Sequence, residues 1–341
     1  MPIVWEKFRD EEKEVEKVKY AGMEEFIIAK NTSYPDVPQA SLWLKDQTHF
    51  LPGLFQDTIE TLYNFQVRPD DVWVVTFPKS GTTWVQEMVW QICNDLDYER
   101  SKQEHQMERF PYLELNCLFP KHVNFPNTVT ALQETKSRRF IKSHLPAPLL
   151  PKQIWTVKPR IIYVARNVKD VAISFYHFYR NVHHYPGSWE DFFDIFMKNR
   201  VYFAPYHTHV YNYWRMRNED NILFLTFEEM KKDHPSVIRK TAQFLGKSFS
   251  ENQILELADY LSFSKFSKIT TLNHDTVLHR IQDELQTKLP DKDYHFVRKG
   301  EVGSYKVEMP KEVIEEFNRW TLKEIEKAKM DPDINRVFYN V

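Results

Sequence analysis

The chain is patterned as short solid apolar runs alternating with stretches of three-to-four spacing, rather than as strict apolar-polar alternation. Val72-Trp73-Val74-Val75-Thr76-Phe77 and Arg160-Ile161-Ile162-Tyr163-Val164-Ala165 read as strands buried on both faces. Arg139-Phe140-Ile141-Lys142-Ser143 predicts a shorter strand, stopped by His144-Leu145-Pro146, and Ile222 to Phe227 predicts a fourth. A helix is expected from Thr82 to about Leu96. Another follows Asn167, which can N-cap it with Asp170 at the third position, and shows Val168, Val171, Ala172, Phe175 and Phe178 on one face. Pro235 and Gly246 bracket a further helix with Val237, Ile238, Thr241, Phe244 and Leu245 inward. Ser250 caps a helix through Leu261, and Pro310 opens an amphipathic C-terminal one.

Strands alternating with helices imply a parallel sheet with helices on both faces, and ligands bind such sheets at the carboxyl ends of the strands. The expected fold is therefore α/β, one domain spanning 1–341 with a central parallel sheet. The stretches 99–137, broken by Pro111, Pro120 and Pro126, and 267–297 are expected to be loops over that edge.

Three chemical segments lie just past predicted strand ends: Lys79, His144 and Arg166. The first belongs to Pro78-Lys79-Ser80-Gly81-Thr82-Thr83-Trp84, a turn opening a helix. Its backbone N–H groups, the helix N-terminus, Lys79 and the threonine hydroxyls suit a phosphate, and Gly81 permits close approach. The order is not that of a Walker A loop, because Lys79 precedes the only glycine. No apolar strand ends in an Asp pair to hold Mg²⁺. An ordinary strand-turn-helix with a solvated Lys is the plainer alternative. A chain of seven glycines that places one at this turn favours the anion site.

Arg166 could instead be part of a surface ion pair and Ser174 a buried hydroxyl bonded to its helix backbone. Arg298-Lys299-Gly300-Glu301-Val302-Gly303-Ser304-Tyr305-Lys306 is a second glycine-bearing basic loop, and three of the seven glycines fall in the two loops. Two such sites imply a ligand with two separated phosphates. His144 is the best general base, with an unperturbed pKa of about 6.5. Lys142 is expected on the same side of the strand, two residues away.

The composition narrows the class. Aromatics make up 15% of the 341 residues, which suits a pocket for a flat apolar ligand as well as a core. The net charge of −2 argues against a general nucleic-acid surface, so any anion site is local. Cys93 and Cys117 make neither a disulfide framework nor a metal set, and fit a reducing compartment. Met1 to Lys19 lacks the apolar core of a signal peptide, and no stretch approaches 18 uninterrupted apolar residues. A cytoplasmic protein without a membrane partner is expected.

These segments together resemble the cytosolic sulfotransferases. That family carries P-K-S-G-T-T-W, K-T-H-L-P, R-N-x-K-D-x-x-x-S and a late R-K-G-x-x-G-x-W-K, matched here by 78–84, 142–146, 166–174 and 298–306, in order, over about residues 40–310. The resemblance implies a P-loop-kinase-like sulfotransferase fold. It also implies the donor 3′-phosphoadenosine 5′-phosphosulfate (PAPS), with adenosine 3′,5′-bisphosphate (PAP) as product and no metal. By position, Lys79, Ser80, Gly81, Thr82 and Thr83 would hold the 5′-phosphosulfate, and Arg166, Ser174, Arg298, Lys299 and Gly300 the 3′-phosphate. Trp84 and Phe263 would sandwich adenine, and Phe227 stands where a nucleotide-site Tyr is frequent. His144 would be the catalytic base, and Lys79 and Lys142 would meet the bridging oxygen and sulfuryl group. Ser174 joins this catalytic set by position. Phe77, Tyr112 and Phe178, with Lys142 and His144, would line the acceptor pocket for a small hydrophobic phenol, steroid or other alcohol.

The chain departs from the pattern at several places. Ser143 replaces a Thr, Leu261 a Thr near adenine, and Tyr305 the Trp of the late motif, while Leu115 stands where a second aromatic is frequent. No dimerisation segment is recognisable where Lys306-Val307-Glu308-Met309 runs into Pro310, so both monomer and homodimer stay open. Two rival classes remain: a P-loop phosphotransferase, and a nucleotide-binding protein without catalysis.

Overall fold

Residues 2–9, 18–20, 23–33 and 38–339 are described in a computed structural model. The reading of 1–19 therefore lies partly outside the described residues. Strands β1 (Ile3–Lys7), β2 (Phe26–Asn31) and β3 (His49–Pro52) form an antiparallel sheet that the alternating pattern downstream did not foretell. Strands β4 (Val72–Thr76), β5 (Phe140–Ser143), β6 (Arg160–Ala165) and β7 (Ile222–Thr226) form the central sheet, all parallel, in the order β5-β4-β6-β7.

Successive side chains of these strands feed two cores, one on each face. Val72, Val74, Ile162, Val164, Leu223 and Leu225 pack on one side. They meet α1 (Thr82–Cys93), and α3 (His234–Phe244) and α4 (Glu251–Tyr260) complete that layer. Trp73, Val75, Ile161, Tyr163 and Phe224 face the other way, towards α2 (Val168–Val182), the helix Tyr206–Arg215 and the antiparallel sheet. The architecture is the expected single-domain α/β fold. Asp71 and Arg139 brace its lower end through two hydrogen bonds at 2.7 and 2.6 Å, both side chains fully buried.

In-register pairing aligns the strand ends: Val75 opposite Ser143, Thr76 opposite Val164, and Ala165 opposite Thr226. The residues that follow, Lys79, His144 and Arg166, therefore emerge at one edge. Two further helices matter there and at the C-terminus, α5 (Asp275–Leu285) and α6 (Lys311–Lys327).

Four expectations need correction. The stretch 99–137 is not plain loop, since it holds helices Tyr98–Gln103, Gln106–Arg109 and Thr128–Glu134, with Asp97 and Asn127 as N-caps of the first and last. Likewise 267–297 contains Thr270–Asn273 and α5, whose Leu278 and Ile281 turn inward at helical spacing. The fourth strand stops at Thr226, because its hydroxyl accepts from Glu229 N and starts the helix Phe227–Lys232. Asp170 does not complete a capping box. Asn167 does cap α2, accepting from Lys169 N, but its own N–H donates to Glu228, and Asp170 serves the late basic loop instead.

Candidate active site

The chain leaves β4 through Phe77 and Pro78 and turns sharply, with Lys79 at φ +66° and Gly81 at φ +98°. A Cβ on Gly81 would lie 2.7 Å from the Phe227 ring, so both backbone shape and the close approach of Phe227 demand glycine. No side chain caps α1, leaving its first N–H groups free of a side-chain partner. Ser80 Oγ and Arg166 Nε are buried without a hydrogen-bond partner among the described residues. Uncapped amides and unsatisfied buried donors beside Lys79 fit an anion.

Lys79 Nζ sits 4.7 Å from the centre of the Phe178 ring and 4.2 Å from that of Phe296. Burial, together with Lys142, Arg166 and Arg298, lowers its pKa to about 7. From β5, Lys142 Nζ lies 4.3 Å above the Tyr112 ring, and burial lowers its pKa to about 8 while Glu114 opposes the shift.

His144 Nδ1 lies 2.8 Å from the Thr76 carbonyl oxygen and 3.1 Å from its hydroxyl, which in turn meets Thr82 Oγ1 at 2.7 Å. A carbonyl can only accept, so Nδ1 carries the hydrogen and the neutral ring keeps its lone pair on Nε2. Burial and the nearby Lys142 hold this imidazole well below the usual histidine pKa, hence neutral at pH 7. Glu114 fixes the segment from behind, accepting from His144 N and Ser143 Oγ. Burial raises its carboxyl to about 7 despite those bonds.

Arg166 ties the two basic loops together by donating to Lys79 O at 3.1 Å and Glu301 O at 2.8 Å over the Phe227 ring. In the late loop, Gly300 has φ +61°, and a Cβ there would strike the Phe263 ring. Asp170 holds the same loop through Gly303 N, Ser304 Oγ and Tyr305 N.

One cavity of about 210 Å³ joins these parts. Its polar end is walled by Lys79, Gly81, Thr82, Thr83, Trp84 and Arg166, with Ser174, Arg298, Lys299 and Gly300 completing it. Its apolar end is walled by Tyr112, Phe119, Phe178, Tyr202 and Phe296, with Leu278 and Ile281 of α5 above. Lys142 and His144 line it too. Trp84 is anchored by Nε1 donating to Leu261 O.

Four expected residues stand apart from this wall. Phe77 is wholly buried among Phe175, Tyr206 and His209, because its side chain turns into the core under α2 rather than into the apolar end of the cavity. Phe227 is buried beneath Gly81 and Arg166, as a support. Phe263 is 36% exposed and covers Gly300, and Ser80 is buried behind the turn. The sequence reading missed Glu114, Thr76, Phe296 and the buried His274, which also lines the cavity. Only Glu114 had a signal, in Arg109-Phe110-Pro111-Tyr112-Leu113-Glu114. Thr76 ends β4 just before the turn, whereas Phe296 and His274 reach the site by tertiary packing.

Residues 69–330 match the model of the sulfotransferase domain family. The chain belongs to the PAPS-dependent sulfotransferase family. Among its relatives, luciferin sulfotransferase of Photinus pyralis is 39% identical over 286 residues, covering 80% of this chain and 75% of that protein. Sulfotransferase 1 family member D1 of Rattus norvegicus is 36% identical over 269 residues, 78% of this chain and 87% of that one. In three dimensions this sulfotransferase is similar to retinol dehydratase solved with androsterone and the inactive cofactor PAP, at a TM-score of 0.82 and 25% identity over 98% and 99% of the two chains. No grouping of His, Cys, Asp and Glu among the described residues of the sulfotransferase could hold a metal ion, and none of their helices is long and apolar enough to cross a membrane.

Proposed function

We propose that this enzyme moves the sulfuryl group of PAPS to the hydroxyl of a small hydrophobic acceptor, with His144 as general base. The supporting observation is the single cavity that runs from uncapped helix amides and cations to an aromatic chamber, with Lys79, Lys142 and His144 on its wall. The loop 78–84 takes the 5′-phosphosulfate, and Arg166, Ser174 and the late basic loop take the 3′-phosphate. Trp84, on the cavity wall, covers one face of adenine, and Phe263 backs Gly300 of the late loop. Retinol dehydratase has been solved with retinol and with androsterone, both hydrophobic alcohols, and the aromatic chamber here fits that class of acceptor.

The acceptor oxygen attacks sulfur in line. A bond forms from that oxygen to sulfur as the bond from sulfur to the phosphate oxygen breaks, and the acceptor proton passes to His144 Nε2. Lys79 meets the charge that grows on the departing oxygen, and Lys142 holds the sulfuryl oxygens. The transferred group carries less charge than a phosphoryl group, so side-chain cations do the work a divalent metal does for kinases. The enzyme acts as a single catalytic domain in the cytoplasm, as a monomer or homodimer, without nucleic-acid or membrane partners.

The test is incubation with PAPS and a panel of phenols, alcohols and amines in EDTA. Release of PAP matched by a sulfated product is expected. Metal-dependent turnover of ATP would point to a phosphotransferase, and nucleotide binding without product to a non-catalytic protein.

A further inference from the structure

The late basic loop does not present its cations freely. Glu308, the last residue of the short helix Tyr305–Glu308, reaches back onto them. Its Oε1 accepts from Arg298 Nη1 at 2.9 Å and from Lys299 Nζ at 2.9 Å. Its Oε2 lies 3.1 Å from Arg298 Nη1 and 3.1 Å from His177 Nε2. One carboxylate thus engages both Arg298 and Lys299, and a histidine of α2 flanks it. Burial alone would raise the Glu308 carboxyl, but the bonds from His177, Lys299 and Arg298 outweigh it and hold the group ionised.

Arg298 and Lys299 line the cavity, whereas Glu308 approaches them from outside its wall. Arg166, the third cation of this end, donates among the described residues to two backbone carbonyls. A doubly charged phosphate arriving at the three cations meets two that are already engaged by an anion of like sign. Carboxylate and phosphate compete for the same Nη1 and Nζ donors, and Glu308 never diffuses away because it sits ten residues from Arg298 on one loop. His177 remains as an anchor for the displaced carboxylate.

We propose that Glu308 is a built-in competitor of the nucleotide's 3′-phosphate, holding Arg298 and Lys299 in the free enzyme, yielding them to the phosphate, and reclaiming them as PAP departs. This rests on the reading of the cavity as a PAPS site. The consequence is a lowered affinity confined to nucleotides with a 3′-phosphate, and faster loss of the product. A competing state of this kind weakens a ligand only by the free energy it contributes to the unliganded form.

The experiment measures binding of PAP and of adenosine 5′-monophosphate, which lacks the 3′-phosphate, to the wild type, Glu308→Gln and Glu308→Ala. Loss of one set of hydrogen bonds to charged groups is expected to tighten PAP about tenfold. The monophosphate is expected to change less than about twofold, because it never meets the competed donors. PAP dissociation in stopped flow should slow in parallel, and the gain should vanish when Glu308→Gln is combined with Arg298→Met. Weaker PAP binding in both Glu308 variants would make the carboxylate a mere brace for Arg298 and overturn the proposal. An equal shift for the two nucleotides would overturn it as well. Failure of the wild type to bind PAP at all would instead overturn the functional reading beneath it.

Discussion

Binding of PAP should draw protons from solution, and the amount follows from two lysines. Free Lys79 has its pKa lowered to about 7 and free Lys142 to about 8, burial being the main cause for both. A bound anionic nucleotide restores the charged forms and returns both towards the ordinary lysine value near 10. At pH 8, Lys79 is then about one-tenth protonated when free and fully protonated when bound, an uptake of about 0.9 proton. Lys142 adds about 0.5. The sign is fixed: affinity is greatest below the free-state values and falls as pH rises through them. Between pH 8 and 9 the loss is about ninefold from Lys79 and about fivefold from Lys142, together roughly 50-fold. Isothermal titration calorimetry in two buffers of different ionisation enthalpy reads the proton count directly. Lys79→Arg keeps a permanent charge and should remove about 0.9 of the uptake at pH 8. An uptake below about 0.2 proton in the wild type, or an unchanged count in Lys79→Arg, would refute the assignment of a largely neutral Lys79 to the free site.

Other perturbations probe separate parts of the argument. His144→Ala should lower kcat by roughly 10²–10⁴-fold while PAP binding, measured calorimetrically, stays near wild type; a wild-type rate would remove His144 as the base. Gly81→Ala places a Cβ 2.7 Å from the Phe227 ring at a φ of +98°, so strain of roughly 1–3 kcal/mol should deform the loop and weaken PAP about tenfold or more; unchanged affinity would refute the tight fit. Asp71→Ala strands the buried Arg139 guanidinium and should destabilise the fold by about 3–5 kcal/mol in urea unfolding, whereas a change under about 1 kcal/mol would show that water or Arg139 itself relaxes into the gap.

The central sheet was readable because a strand buried on both faces leaves an unmistakable mark. Val72–Thr76 and Arg160–Ala165 are solid apolar runs, and every residue of the first is buried. In the antiparallel sheet only β2, with Phe26-Ile27-Ile28-Ala29, carries such a run, whereas β1 has a single buried residue and β3 only four residues. Inside 99–137 and 267–297 the helices Gln106–Arg109 and Thr270–Asn273 are one turn long and prolines interrupt the first stretch, whereas α5 carries a helical spacing at Leu278 and Ile281 that the sequence reading passed over.

At the site, chain position determined which residues could gather. Lys79, His144 and Arg166 had to meet, since each follows a strand of one parallel sheet and register pairing aligns the strand ends. The sequence also carried the shape of the turn at 78–84, because a glycine at positive φ before a helix is a local property. What only the tertiary structure decided are the contacts between distant segments. Phe77 went to the core, and Phe227 to the floor beneath Gly81. Asp170 was taken up by the late loop, Phe296 came to lie over Lys79, and Glu308 came to occupy Arg298 and Lys299. Local sequence sets backbone shape and residue type, whereas which carboxylate neutralises which cation depends on how loops far apart in the chain pack against one another.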